Sequence, residues 1–404
     1  MPLEPHGATP AGTAPDTVVV AITVDPYRRG TAVYGWAEGV ALAERFVDSA
    51  LGQVLTGGAF ERRGPLDWLW RSGSAGPSDL RAFDLALLDV CGVRVADPVV
   101  AARFVDVRMG IAHRSVVEET PWGDSDLAAI ADIALQEAVE FGGAVVIARP
   151  GMLARAYHRA RLGAELAAAA RDDWQPVYQP IVALGPGPNA PVGYESLLRL
   201  WCGGRLVGPD VFMEVLEDSE LIVPVGRSAI TRSLDALAGP VTERLGPGAF
   251  MSVNLSAAQL RDRWLVDFVS GALGERGLDP VRVWFEISEN AVVTEGTTAG
   301  RAIAGLHEIG CGICVDDLGA GFAALGYLRD LPIDVLKVDR ALISRMPTER
   351  MDRAVVRAIC DLASAAGVLT VAEGVETPAV LSVVEELGFD MAQGYLFGRP
   401  GSLA

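Results

Sequence analysis

The chain has 404 residues, half of them hydrophobic and 21% charged, which excludes a disordered polymer and gives enough length for two domains. A net charge of −18 at pH 7 argues against a binder of nucleic-acid backbones, which needs a basic face. A small anionic ligand would need bound cations or a few placed arginines. No apolar stretch reaches the roughly 18–20 residues of a membrane span. The start MPLEPHGATPAGTAPDT has neither the basic nor the apolar region of a signal peptide, so a cytoplasmic protein without membrane attachment is expected.

Residues 1–16 are rich in Pro, Gly, Ala and Thr and are expected to be disordered. A first α/β region follows over 17–150. Strands are expected at 18–24, 83–90, 104–112 and 144–149, and helices at 36–51 and 126–141. Segment 56–80 is Gly/Pro/Ser-rich and reads as a loop or an eroded hairpin. An Ala-rich helical linker over 151–173 leads to a second domain, 174–404.

The second domain has a regular rhythm. Short apolar runs at 175–182, 191–198, 250–256, 282–288, 312–317, 334–339, 369–375 and 392–398 alternate with helical patterns. Eight strand–helix units in one domain predict a (β/α)8 barrel. An open doubly wound sheet would have a Gly-rich phosphate loop after its first strand, and none is present. The five cysteines, Cys91, Cys202, Cys311, Cys314 and Cys360, suggest a reducing compartment rather than a disulfide framework. Cys311 and Cys314 are expected as buried strand residues. His6, His113, His158 and His307 show no zinc-ligand spacing.

Polar residues close these runs: Glu195, Asn254, Glu286, Asp316 with Asp317, Lys337 with Asp339, and Glu373 with Glu376. The C-terminal strand ends of a barrel share one mouth, so these side chains are expected together. Grouped carboxylates repel unless a cation joins them. Oxygen donors without His or Cys favour Mg²⁺ or Mn²⁺, and more than four carboxylates suit two such ions in attack on a phosphodiester. Lys337 is the sole lysine beside 33 arginines. Lysine is a compact point charge where arginine is a broad planar fork, so a crowded site explains its retention.

The motifs VYQPIVAL, GYESLLRL, SVNLSAAQL, FEISEN, VDDLGAGFAALGYLRDLPIDVLKVDR, VAEGVET and AQGYLFGRP resemble, in order, those of the EAL-domain cyclic di-GMP phosphodiesterases. The resemblance covers about 175–400. It implies two Mg²⁺ or Mn²⁺ ions per site, held by Glu195, Asn254, Glu286 and Asp316, with Asp317 and Asp339 serving the second ion. It makes Lys337 the residue that orients the attacking water and Glu373 the general base, with Glu376 beside it. Arg199 would contact phosphate, Gln179, Leu197 and Gln393 the nucleotide or its waters, and Glu289 would anchor the loop after Asp317. The implied reaction opens cyclic di-GMP to pGpG; a non-hydrolysing receptor for the same ligand is the alternative. A homodimer and a protein signalling partner are also implied. Two departures stand out. The name motif reads Glu-Ser-Leu, and the loop DLGAGFAA has Leu318, Ala320, Phe322, Ala323 and Ala324 in place of Phe, Thr, Tyr and two Ser.

Residues 17–150 resemble a degenerate GGDEF (diguanylate cyclase) domain, a ferredoxin-like α+β fold. TVDPYRR keeps only Asp25 of the family's acidic start, and YGWAEGVALAE has Trp36 for His and Val40 for Asp. The signature hairpin is not found; its nearest candidate, 64–68, carries Pro65, which cannot donate a ladder hydrogen bond. No cyclase activity is expected.

Overall fold

The computed structural model describes residues 17–73, 77, 79–92, 106–117, 124–187, 189–202, 204–318 and 331–403. The expected disorder of 1–16 therefore lies outside the described residues. Two units divide the chain, 1–161 and 162–404, and the division falls within helix Met152–Ala168. Met152 and Leu153 belong to the first unit's core, and Leu162 and Leu166 to the second's.

The first unit is built on β1 (Val18–Val24), β2 (Gly58–Arg62), β3 (Asp67–Ser72), β4 (Val107–His113) and β5 (Val145–Ile147), in the order β2-β3-β1-β4-β5. Strand β1 runs antiparallel to β3 and β4. Helices Trp36–Phe46 and Leu80–Gly92 connect β1 to β2 and β3 to β4, which is the ferredoxin-like β-α-β-β-α-β arrangement. Both faces of β1 are covered, and this is why it reads as an unbroken apolar run. Val18, Val20 and Ile22 pack with Leu42 and Phe46, while Val19 and Ala21 pack with Leu127, Ala131 and Ala134.

Two expectations for this unit are corrected. Residues 83–90, expected as a strand, lie within helix Leu80–Gly92. The side chains turned to the core are Phe83, Leu87, Val90 and Cys91, a helical spacing, while Leu85 and Leu88 are exposed; the excess of leucine mimicked strand alternation. Segment 56–80, expected as a loop or an eroded hairpin, contains a regular one: β2 and β3 pair from Gly58↔Ser72 to Arg62↔Trp68. Pro65 sits in its turn, where no ladder hydrogen bond is required of it. Of the expected strand at 104–112, residues 104 and 105 lie outside the described residues.

The second unit has a strand at each of the eight expected runs: β6 (Trp174–Ala183), β7 (Pro191–Cys202), β9 (Phe250–Leu255), β10 (Val283–Ser288), β11 (Gly312–Leu318), β12 (Val335–Val338), β13 (Leu369–Ala372) and β14 (Met391–Gln393), the last ending at Gln393, with 394–398 in a turn instead of the expected strand. A short β8 (Arg205–Val207) adds to β7. The order β6-β14-β13-β12-β11-β10-β9-β7, with β6 also paired to β7, closes the ring. One detail departs from eight strand–helix units. Strand β6 is antiparallel to both neighbours and joins β7 without a helix. The connecting GPGPNAP is dominated by helix breakers, so the chain turns straight back.

Alternation along the strands sets up the site. Interior positions run from apolar to polar toward the strand ends: Phe250, Ser252 and Asn254; Trp284 and Glu286; Cys314 and Asp316; Val335 and Lys337; Val371 and Glu373; Met391 and Gln393. Ile181, Phe250, Cys314, Val335, Val371 and Met391 form the apolar floor. The alternate residues, such as Val253, Phe285, Ile313 and Leu336, enter the larger core between barrel and helices. Phe250 stacks on Trp284 at 3.7 Å between ring centroids. Opposite Phe250 stands Gly193, where an added Cβ would lie 2.7 Å from that ring. Gly193→Ala should therefore destabilise the barrel by about 1–3 kcal/mol through overpacking. A lowered denaturant midpoint for the barrel transition is the expected reading.

Candidate active site

Lys337 is the third residue of β12, points into the barrel and is 1% exposed. Its ammonium gathers four carboxylates from four other strands or strand ends. Nζ lies 2.5 Å from Glu373 Oε1, 3.0 Å from Glu286 Oε2, 3.3 Å from Glu195 Oε2 and 3.6 Å from Asp316 Oδ1. Around this centre neutral donors hold further oxygens of Glu195 and Glu286. Asn254 Nδ2, at the exposed rim, donates to Glu195 Oε1 at 2.8 Å, and Ser252 Oγ donates to Glu286 Oε1 at 2.6 Å. Gln393 Nε2 donates both to Glu195 Oε2 at 2.6 Å and to Gln179 Oε1 at 3.0 Å. Gln179 in turn donates to the Gly398 carbonyl at 3.1 Å. The reversed β6 makes this possible, because it sets Gln179 directly across from Glu195.

Burial and like charge pull the ionisations apart. Burial alone would depress the Lys337 pKa, but Asp316, Glu195, Glu286 and Glu373 outweigh it and push it well above the usual lysine value. The residue is thus a fixed cation and a hydrogen-bond donor. Burial works against ionised Glu195 as well, yet Lys337, Gln393 and Asn254 hold its carboxyl below the usual range. Glu286 is driven well up, by burial and then by the charge of Glu195, against the pull of Lys337. Burial raises Glu373 to about 8, with Lys337 opposing and Asp316 adding to the rise.

The donor set fits a hard divalent cation. Four carboxylates converge on one ammonium, so their full ionisation leaves a large negative excess in a desolvated place. Every donor is oxygen, the chemistry of Mg²⁺ or Mn²⁺. Among the described residues no three acidic, Cys or His side chains form a ready metal cage; the carboxylates are turned onto Lys337 instead.

Other expected site residues stand apart from this cluster. Asp339 follows the end of β12, and its Oδ1 accepts from Ala341 N at 2.7 Å, capping helix Arg340–Ile343. Glu376 is exposed and pairs with Arg340 at 3.1 Å. Half-buried Arg199 lies four residues beyond Glu195 on β7 and donates to the Leu198 carbonyl at 2.9 Å; Leu197, also half-buried, lies opposite Val177. Asp317 belongs to β11 and Glu289 opens helix Glu289–Glu308, but their side chains, like residues 319–330, lie outside the described residues. Ser252 was not among the expected residues. Its place two before Asn254 on an alternating strand was the available signal.

The shifted carboxyls give a pH dependence. Glu286 and Glu373 bind protons more tightly folded than unfolded, so their stabilising contribution is complete below about pH 4.5 and fades as pH rises, that of Glu373 through about 8. In EDTA-treated protein the thermal midpoint should decline across that interval, less steeply in Glu373→Gln. Added Mg²⁺ should raise the midpoint more at pH 8 than at pH 5.

Comparison with known proteins adds to this geometry. The EAL domain family profile matches residues 164–400, more than half of the chain. The cyclic di-GMP phosphodiesterase NbdA of Pseudomonas aeruginosa is 36% identical over 259 residues, 63% of this chain and 32% of that protein. The uncharacterized protein Rv1354c of Mycobacterium tuberculosis is 35% identical over 297 residues, 73% of this chain and 47% of that one. This chain thus spans about half or less of the length of these relatives. Among solved structures, the EAL enzyme Bd1971 with cAMP and cyclic di-GMP bound superposes with a TM-score of 0.59 at 28% identity, over 74% of this chain and 81% of that one. The PaMucR phosphodiesterase, solved as a c-di-GMP complex, gives 0.55 at 32% identity, over 61% and 98%. Profile, barrel and mouth agree, and the chain belongs to the EAL domain family.

Proposed function

We propose that this protein hydrolyses cyclic di-GMP to linear pGpG at the mouth of its barrel, with two Mg²⁺ or Mn²⁺ ions. The observation that carries the reading is the ammonium of Lys337 gathering Glu195, Glu286, Asp316 and Glu373, inside a barrel whose relatives include named cyclic di-GMP phosphodiesterases. Glu195, Asn254, Glu286 and Asp316 would hold metal, and Asp317 would serve a second ion, as would Asp339 on leaving its helix cap. Bound divalent cations offset the phosphodiester charge and make water a better nucleophile.

The chain's own residues do the rest. Lys337, permanently charged, donates a hydrogen bond that orients the attacking water. Glu373, with its pKa near 8 and its carboxylate against Lys337, accepts the proton as water attacks phosphorus. The P–O3′ bond breaks, the phosphate stays on the 5′ oxygen, and the departing 3′ oxygen takes up the proton that Glu373 received, directly or through water. Arg199 would hold a phosphate oxygen by a charge-assisted bond. Gln179, Leu197 and Gln393 would contact the nucleotide or its waters.

The first unit fits a GGDEF-like domain without cyclase activity. Its retained Asp25 accepts from Gly30 N at 3.0 Å and Thr31 N at 2.8 Å, so this carboxylate already serves the backbone. The hairpin turn carries Gly64-Pro65-Leu66 in place of an acidic signature. On the same reading, this unit serves as a scaffold or regulator.

Purified protein incubated with cyclic di-GMP and Mg²⁺ or Mn²⁺ should yield pGpG by chromatography, with none formed in EDTA. Glu373→Gln should lower kcat by about 10²–10⁴-fold while nucleotide binding persists, as for loss of a general base. Binding without turnover in the parent would instead establish a receptor. Incubation with GTP should produce no cyclic di-GMP.

A further inference from the structure

Ser252 is fully buried on β9, between Met251 and Val253, whose side chains enter the core on the other face of the strand. It stands beside Glu195 of β7 on one side and Trp284 of β10 on the other, one interior position below Asn254. Its hydroxyl donates to Glu286 Oε1 at 2.6 Å. The other oxygen of the same carboxylate accepts from Lys337 at 3.0 Å. Glu286 is therefore gripped from both sides, by a neutral donor on β9 and a cation on β12, and its carboxylate plane is set before any ligand arrives. Packing alone does not ask for serine here. Alanine would fill nearly the same space without bringing a hydroxyl that must find a partner.

We propose that Ser252 is a positioning residue that sets the mouth's affinity for divalent cations, and its preference for Mg²⁺ over Ca²⁺, by fixing the orientation of Glu286. The inference rests on the two-metal reading given above and adds a determinant to it. A carboxylate with one oxygen released can pivot about its remaining contact with Lys337. Mg²⁺ demands near-ideal octahedral geometry, so a pivoting ligand weakens it strongly. Ca²⁺ accepts mono- or bidentate carboxylates in flexible geometries, so it tolerates the same freedom.

The test is calorimetric titration of substrate-free, full-length protein with MgCl₂ and with CaCl₂. Ser252→Ala should lower Mg²⁺ affinity by about 10–100-fold, the usual effect of removing a partner that orients a ligand, and Ca²⁺ affinity by a smaller factor. Ser252→Thr keeps the hydroxyl and should restore Mg²⁺ affinity; circular dichroism verifies that both variants are folded. Unchanged Mg²⁺ affinity in Ser252→Ala overturns the inference. So do equal losses for both cations in the Ala and Thr variants, which would mark a packing role. A parent protein that takes up neither cation overturns the two-metal reading and this inference with it. A parent that binds Mg²⁺, with Ser252→Ala binding as tightly, overturns this inference alone.

Discussion

One buried ammonium balances carboxylates from four strands, and the rest of the barrel is arranged to make that balance possible. Ions of this kind cannot be buried singly, because desolvation far exceeds what an isolated charge recovers. Lys337 satisfies the requirement by reaching Glu195, Glu286, Asp316 and Glu373 within 2.5–3.6 Å. A guanidinium would present a fixed planar fork suited to one or two carboxylates. A tetrahedral ammonium can be approached from several directions at once. That difference accounts for a single lysine in a chain that otherwise uses arginine throughout.

The balance is incomplete, and the surrounding residues show how it is managed. Neutral donors add to what Lys337 supplies: Asn254 and Ser252 take the second oxygens of Glu195 and Glu286, and Gln393 shares Glu195 Oε2 with the ammonium. These amides and hydroxyls add no charge and fix direction. Below them, Phe250, Val335, Val371 and Met391 form an apolar floor whose side chains offer no hydrogen bonds to compete for the carboxylates. The reversal of β6 then closes the seam of the barrel with Gln179, linked through Gln393 to Glu195. Ligand orientation, floor packing and strand direction thus serve one electrostatic centre.

Much of this was legible in the sequence because alternation is strict where one face must be apolar and the other must present chemistry. Eight apolar runs with polar ends gave the barrel, and Glu195, Glu286, Asp316, Lys337 and Glu373 do meet. What was not legible has physical reasons. Strand direction leaves no mark on a short apolar run, so β6 read like its parallel neighbours. Helix Leu80–Gly92 resembled a strand because leucines on its exposed side filled the gaps in the helical period. Asp339 was expected to share the interior face with Lys337, but β12 ends at Val338 and the next carboxylate caps a helix. Small polar residues such as Ser252 carry little periodic signal, although their contacts are as specific as those of the charged residues.

The same imbalance bears on the order of events at the mouth. The protein carries a net charge of −18, and its proposed substrate is a dianion. A mouth with four carboxylates and one ammonium has no excess of positive charge to offer a phosphodiester. Protonation of Glu286 and Glu373 relieves the repulsion but adds no cation. Arg199 contributes one charge at the edge and cannot reverse the sign of the centre. On the proposed reading, cation uptake precedes productive nucleotide binding or accompanies it, because each phosphate oxygen brought to the centre without it would meet carboxylate repulsion. On this view the carboxylate excess is the device that makes substrate binding depend on metal, and Lys337 keeps the excess from disrupting the barrel while the site waits.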